Sequence, residues 1–174
     1  MESIRADYEI RTARITVADM GDFLAKLRAI MHAEEVTIVC FNAENMAGIR
    51  HAEAALTHAI RSFSCGTPIA KTLEMEALLY AAGTRQCTEA AALGIHEGKN
   101  LAYVCCCPPR QGIWEMLSPL IHVTDSGEEV LDPGRATRLK YLFSITDAEL
   151  TAAGGAHRLQ DLVIERVALL DANR

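Results

Sequence analysis

The chain has 174 residues, half of them hydrophobic and 23% charged, a globular composition that excludes a disordered protein. A formal net charge of −6 excludes an isolated high-affinity nucleic-acid binder, which carries a clustered basic surface. Neither half is an acidic or basic tail, so any RNA contact must be local and shared with a more basic partner.

The length suits one domain, 1–174. Only 5% of residues are aromatic, so Ala, Leu, Ile and Val must build the core. No apolar stretch is long enough to span a membrane. The opening MESIRADYEIR lacks the apolar centre of a secretion signal. Six cysteines without such a signal read as reduced thiols. The expectation is a cytosolic protein with no membrane partner.

In chain order, Tyr8, Ile10 and Ile15 point to an exposed or edge strand. Asp19 is placed to cap a helix carrying Phe23, Leu24, Leu27, Ile30 and Met31 at helical spacing. Val36 to Phe41 is a β-branched strand signal, followed by a turn from Asn42 to Gly48. Ile49 to Phe63 reads as a long helix ended by Cys65-Gly66, with Gly66 in the left-handed position. Thr67-Pro68 predicts an immediate restart running to Ala82, with Gly83 closing it.

A third helix is expected from Thr84 to Gly94, and Leu101 to Cys107 reads as a central strand covered on both faces. Short elements follow: a helix at Gly112 to Leu117, a strand at Ile121 to Val123, and a helix from Asp132-Pro133 through Tyr141. Thr146 caps a helix at Asp147 to Ala152, and the last helix runs from Ala156 to Asp171. The fold class is therefore α/β, a small mixed or antiparallel sheet packed with about seven or eight helices.

Catalytic patterns are missing. The strand run Cys105-Cys106-Cys107 alternates faces and lacks the CxxC spacing of a zinc site, so these read as core thiols. A small thiol-dependent enzyme remains the catalytic alternative. His51 and His58 lie two helical turns apart, too far for one metal ion, and read as surface residues. There is no GxSxG elbow and no phosphate-binding glycine loop. The stretch DPGRATR reads as a helix start. No metal, cofactor or catalytic residue is expected.

The central run IAKTLEMEALLYAAGTRQCTEAAALGI is more specific. On a helical wheel Leu73, Leu79 and Tyr80 define an apolar arc, and Glu76 falls inside it. A carboxylate there needs a partner, and Arg85 is a candidate. That pair is either a structural brace or part of a site. The helix start after Gly83-Thr84 offers unsatisfied N–H groups to an anion. Arg85 adds a guanidinium fork and Gln86 an amide able to pair with a base edge. With Lys71, these groups suit a phosphate and one or two unstacked nucleotides.

The string LEMEALLYAAGTRQCTEAAALGI resembles the signature of the smallest core subunit of the KEOPS complex, the family of the PRPK-binding protein. Glu76, Gly83, Arg85, Gln86, Ala90, Gly94 and Ile95 match the pattern, and Cys87 stands where Ile is usual. The strand VTIVCFNAENMAG and the helix LQDLVIERVALL agree with it, so the similarity covers most of the chain.

The resemblance implies a non-catalytic subunit of the assembly that installs threonylcarbamoyl on the adenosine beside the anticodon. Its partners are expected to be the complex's atypical kinase/ATPase, other KEOPS subunits indirectly, and, as in archaea, the tRNA 3′ CCA end. The RNA-binding residues are then expected to be Ile69, Lys71, Gly83, Thr84, Arg85 and Gln86. The kinase is expected on the last helix, at Leu159, Ile164, Val167 and Ala168. A regulatory protein-interaction domain without RNA binding is the alternative.

Overall fold

The computed structural model describes residues 7–124 and 133–173. Four strands, β1 (Glu9–Val17), β2 (Thr37–Asn42), β3 (Gly98–Cys107) and β4 (His122–Val123), form an antiparallel sheet in the order β2-β3-β1-β4. Eight α-helices are present among the described residues. They are α1 (Met20–Glu34), α2 (Ile49–Ser64), α3 (Leu73–Ala82), α4 (Cys87–Ala90), α5 (Ile113–Leu117), α6 (Pro133–Leu142), α7 (Asp147–Ala153) and α8 (Leu159–Ala172). The expected α/β class, sheet size and helix number are all found.

β3 is the central, doubly covered strand that its apolar run predicts. Tyr103 and Cys105 enter the layer formed with α2, α3, α6 and α8, while Ala102, Val104 and Cys106 meet α1 and α5. The Cys105 and Cys106 thiols are thus buried on opposite faces. Burial pushes Cys106 up to about 11 and Cys105 well above its ordinary value, which keeps both neutral and unreactive.

β1 departs from expectation. It lies between β3 and β4 and is no edge, with Ala13, Ile15 and Val17 buried. Tyr8 and Ile10 pack in the other layer from Ile15, because even and odd positions of a strand face opposite ways. The β-branched run supplies the outer strand β2 instead.

Helix boundaries follow their caps. Asp19 Oδ1 accepts the Asp22 N–H at 2.7 Å and opens α1 as predicted. Gly66, just past α2, has φ +68°, the predicted left-handed stop. Thr146 caps α7 through the Glu149 N–H at 3.0 Å. Asp132 lies outside the described residues. α6 begins at Pro133, and its Arg135 donates to the Ala43 and Met46 carbonyls, fastening the turn after β2.

Two predicted helices start later than expected. Residues 67–72 form no helix: Thr72, not Thr67, caps α3, its Oγ1 accepting the Met75 N–H at 3.3 Å. The next helix begins at Cys87, not Thr84, and α4 is one turn followed by a 3-10 turn at Ala91–Leu93. Thr84 Oγ1 accepts the Gln86 N–H at 3.2 Å, and Gln86 is left extended. A side chain has captured the amide that the helix needed.

His51 corrects the surface reading, for it is fully buried. The Ala47 N–H donates to Nδ1 at 3.1 Å, so Nε2 carries the proton and donates to the Ala81 carbonyl at 2.8 Å. Burial holds its pKa down at about 4. His58 is half-buried, and its place is described below. No described helix is long and apolar enough to cross a membrane.

Candidate functional site

The central segment is organised by Glu76, whose side chain is fully buried. It accepts the Ser62 hydroxyl at 2.6 Å, the Ile69 N–H at 2.9 Å and the Ala70 N–H at 2.7 Å. The carboxylate therefore ties the loop before α3 to α2. Arg85, the partner expected from sequence, stands exposed past the other end of α3 and is not what satisfies it. The expected Glu76–Arg85 brace at the Gly83 corner is not formed; hydroxyl and backbone donors hold the carboxylate at the loop before α3 instead.

At the far end of α3, Gly83 has φ +64° and donates its N–H to the Tyr80 carbonyl. A Cβ on Gly83 would come within 3.1 Å of the Arg166 carbonyl of α8. Glycine is needed there on both counts, for the left-handed backbone and for the close approach. Thr84 is half-buried, and its Oγ1 donates to Glu89 Oε2 at 2.6 Å. Arg85 and Gln86 are exposed. The expected anion-receiving helix start is weaker than sequence implies. α4 has four residues, and the Gln86 amide is already taken. What the corner still presents to solvent is the Arg85 and Gln86 side chains.

The structure separates residues that sequence places together. Ten residues of α3 stand between the Ile69–Lys71 end and the Gly83–Gln86 end, a span of about 15 Å. Lys71 is exposed at the first end, and Ile69 packs half-buried against the core there. Thr84, Arg85 and Gln86 form the other cluster.

α8 is fastened to both α2 and α3. Asp171 accepts the Tyr80 hydroxyl at 2.5 Å through Oδ1 and the His58 Nδ1–H at 2.6 Å through Oδ2. α2, α3 and α8 are thereby pinned at one point. Cys65 and His58 line the same 470 Å³ concavity. They are seven residues apart on one side of α2, about 10 Å along its axis, too far for a thiol–imidazole pair.

The expected partner residues on α8 divide sharply. Leu159 and Val167 are 3% and 0% exposed and pack into the core, so they hold the helix and cannot face a partner. Ile164 is half-buried and Ala168 exposed. Leu169, 42% exposed, adds an apolar side chain that sequence reading missed. Leu159, Leu162, Val163, Val167 and Leu170 form one stripe at helical spacing, and it docks inward. Among the described residues no group of three or more His, Cys, Asp or Glu is placed to hold a metal ion.

A search of curated proteins gives no match. A family model described as "Kinase binding protein CGI-121" matches residues 16–171, nearly the whole chain and every element from the end of β1 to α8. This agrees with the resemblance carried by Glu76, Gly83, Arg85 and Gln86. The chain belongs to the CGI-121 family of kinase-binding proteins.

Proposed function

We propose that this chain is a single-domain, non-catalytic cytoplasmic subunit of a KEOPS-type assembly for threonylcarbamoyl modification of tRNA. It binds the assembly's atypical kinase/ATPase and docks the tRNA 3′ CCA end. The observation that carries the reading is the exposed Arg85-Gln86 pair at the Gly83 corner, in a chain of a kinase-binding family.

The corner can hold RNA despite a net charge of −6. A single-stranded end needs few contacts: a cation for one phosphate and side chains for unstacked bases. The longer electrostatic path along a tRNA belongs to more basic partners. Gly83 packs against Arg166 of α8, so the proposed RNA corner is fixed to the helix on which the kinase is proposed to dock.

Arg85→Glu is expected to weaken binding of intact tRNA at least tenfold in gel shifts, since a charge-assisted phosphate contact becomes a repulsion. tRNA lacking CCA should bind wild-type protein as weakly. Unchanged affinity in both experiments would sink the RNA assignment.

The kinase surface needs a point substitution. Deleting α8 would remove five buried side chains, each stabilising by about 1.5–3 kcal/mol, and unfold the protein. Ala168→Glu leaves those side chains in place and should abolish co-purification of the kinase while the thermal midpoint stays put. Retained co-purification would move the partner to another face.

A further inference from the structure

β2 is the outermost strand of the sheet, and its free edge is the floor of a groove. The strand pairs with β3 on one side, but from Thr37 to Cys40 it makes no backbone hydrogen bond on the other, among the described residues. Only Phe41 meets a neighbour there, in a single bridge to Gly94. Open edges are ordinarily blunted by a lysine, a proline or a bulge. The sequence TIVCFN has no charge and no proline, and its register with β3 is unbroken.

Helices from the two faces of the sheet wall the groove. α1 contributes Met20, Leu24 and Met31, and α3 contributes Met75 and Leu78, all half-buried. Between them lies about 400 Å³ of mostly apolar space, with half-buried Cys40 on its floor. Each wall also holds one charge, Arg28 on α1 and Glu74 on α3. Neither of these side chains has an ion pair or hydrogen bond among the described residues.

We infer that this groove is a strand-addition site, taking an extended segment of another protein as a fifth strand beside β2. The segment is apolar at alternate positions and carries an acidic and a basic residue an odd number of positions apart. The site is independent of the Gly83–Gln86 corner and of α8, since no residue of either lines the groove.

The occupant follows from the floor, the walls and the charges together. An unpaired strand edge offers main-chain hydrogen bonds, which an extended chain takes up. A helix, about 10 Å across and with its own backbone bonds satisfied, would leave the edge unpaired. A strand beside β2 lies about 4.8 Å away and sends alternate side chains to the α1 and α3 walls. That alternation is what places residues of opposite sign, at odd spacing, against Arg28 and Glu74. A second copy does not fit, because its β2 is equally recessed between its own walls. Three of the six methionines line the groove, and their flexible side chains mould to an incoming strand.

The test uses the full chain and a set of short fluorescein-labelled peptides read by polarisation. The probes alternate valine with polar residues and carry aspartate and lysine at neighbouring positions, and controls hold the same residues in helical order. The alternating peptides should bind and the controls should not. Backbone N-methyl groups along one edge of the peptide should abolish binding, while those along the other edge leave it intact. Arg28→Glu, an exposed change, should weaken binding about tenfold, and replacing the peptide aspartate with lysine should restore it. Met75→Lys should weaken binding at an unchanged thermal midpoint.

Equal binding of alternating and helical-order peptides would overturn strand addition, as would indifference to N-methylation on both edges. If no alternating peptide binds the wild-type chain, the groove is not a strand site. Sedimentation showing self-association that Arg28→Glu removes would give the groove to a second copy instead.

Discussion

Replacing Glu76 with alanine is expected to cost about 3–5 kcal/mol of folding stability, the range for losing one partner of a buried charged network. The reason lies in what the carboxylate holds. It is itself fully buried, and it accepts from Ser62 Oγ and from two consecutive, partly buried backbone N–H groups, Ile69 and Ala70. Without it these donors stay in the protein and lose their acceptor, and each unsatisfied donor costs about 1–3 kcal/mol. Glu76→Gln keeps the shape but turns an amide N–H₂ toward donors, so it should recover only part of the loss.

Urea titration measures the cost directly, and the thermal midpoint should fall by about 10 °C for a chain of this size. Hydrogen exchange adds a local readout, because the Ile69 and Ala70 amides should exchange much faster in the alanine variant. A loss under 1 kcal/mol would mean that the loop does not depend on this carboxylate.

Acid should weaken the fold through His51. Its folded pKa is about 4 against an ordinary 6.5, so the unfolded chain takes up the proton first. The contribution is complete above pH 6.5 and is lost progressively as pH falls toward 4. The difference corresponds to about 3 kcal/mol.

Protonation would also put a second N–H on Nδ1, facing the Ala47 N–H that now donates to it. Urea midpoints measured from pH 7 to pH 4 should fall steeply in the wild type. The slope should be shallower in His51→Gln, which starts less stable but has no imidazole to titrate. Equal slopes would assign the acid sensitivity to other groups.

Much of the architecture is legible in the residues themselves. Apolar alternation and period locate every strand and nearly every helix. The reason is that burying one face of each element is a local requirement with a local signature. The Asp19 and Thr146 caps are equally local, since each side chain bonds an amide three residues away. The uninterrupted run of β3 even announces its covering on both faces.

The failures share a cause. The helix expected at Thr67-Pro68 has good local credentials, yet Glu76 takes the Ile69 and Ala70 amides and leaves an open loop. His51 looks like any polar residue on a helix, until Ala81, thirty positions later, supplies its second hydrogen bond. The partner surface expected at Leu159 and Val167 is not there, because both side chains pack into the core.

The candidate site divides the same way. Sequence alone determined the family motif and its chemically able residues, Arg85 and Gln86, because residue type and spacing are written in the chain. Tertiary structure decided that Lys71 sits a helix length away, that Glu76 braces a loop, and that Gly83 lies against α8. Those outcomes depend on contacts between residues far apart in the chain, whose energies no local pattern encodes.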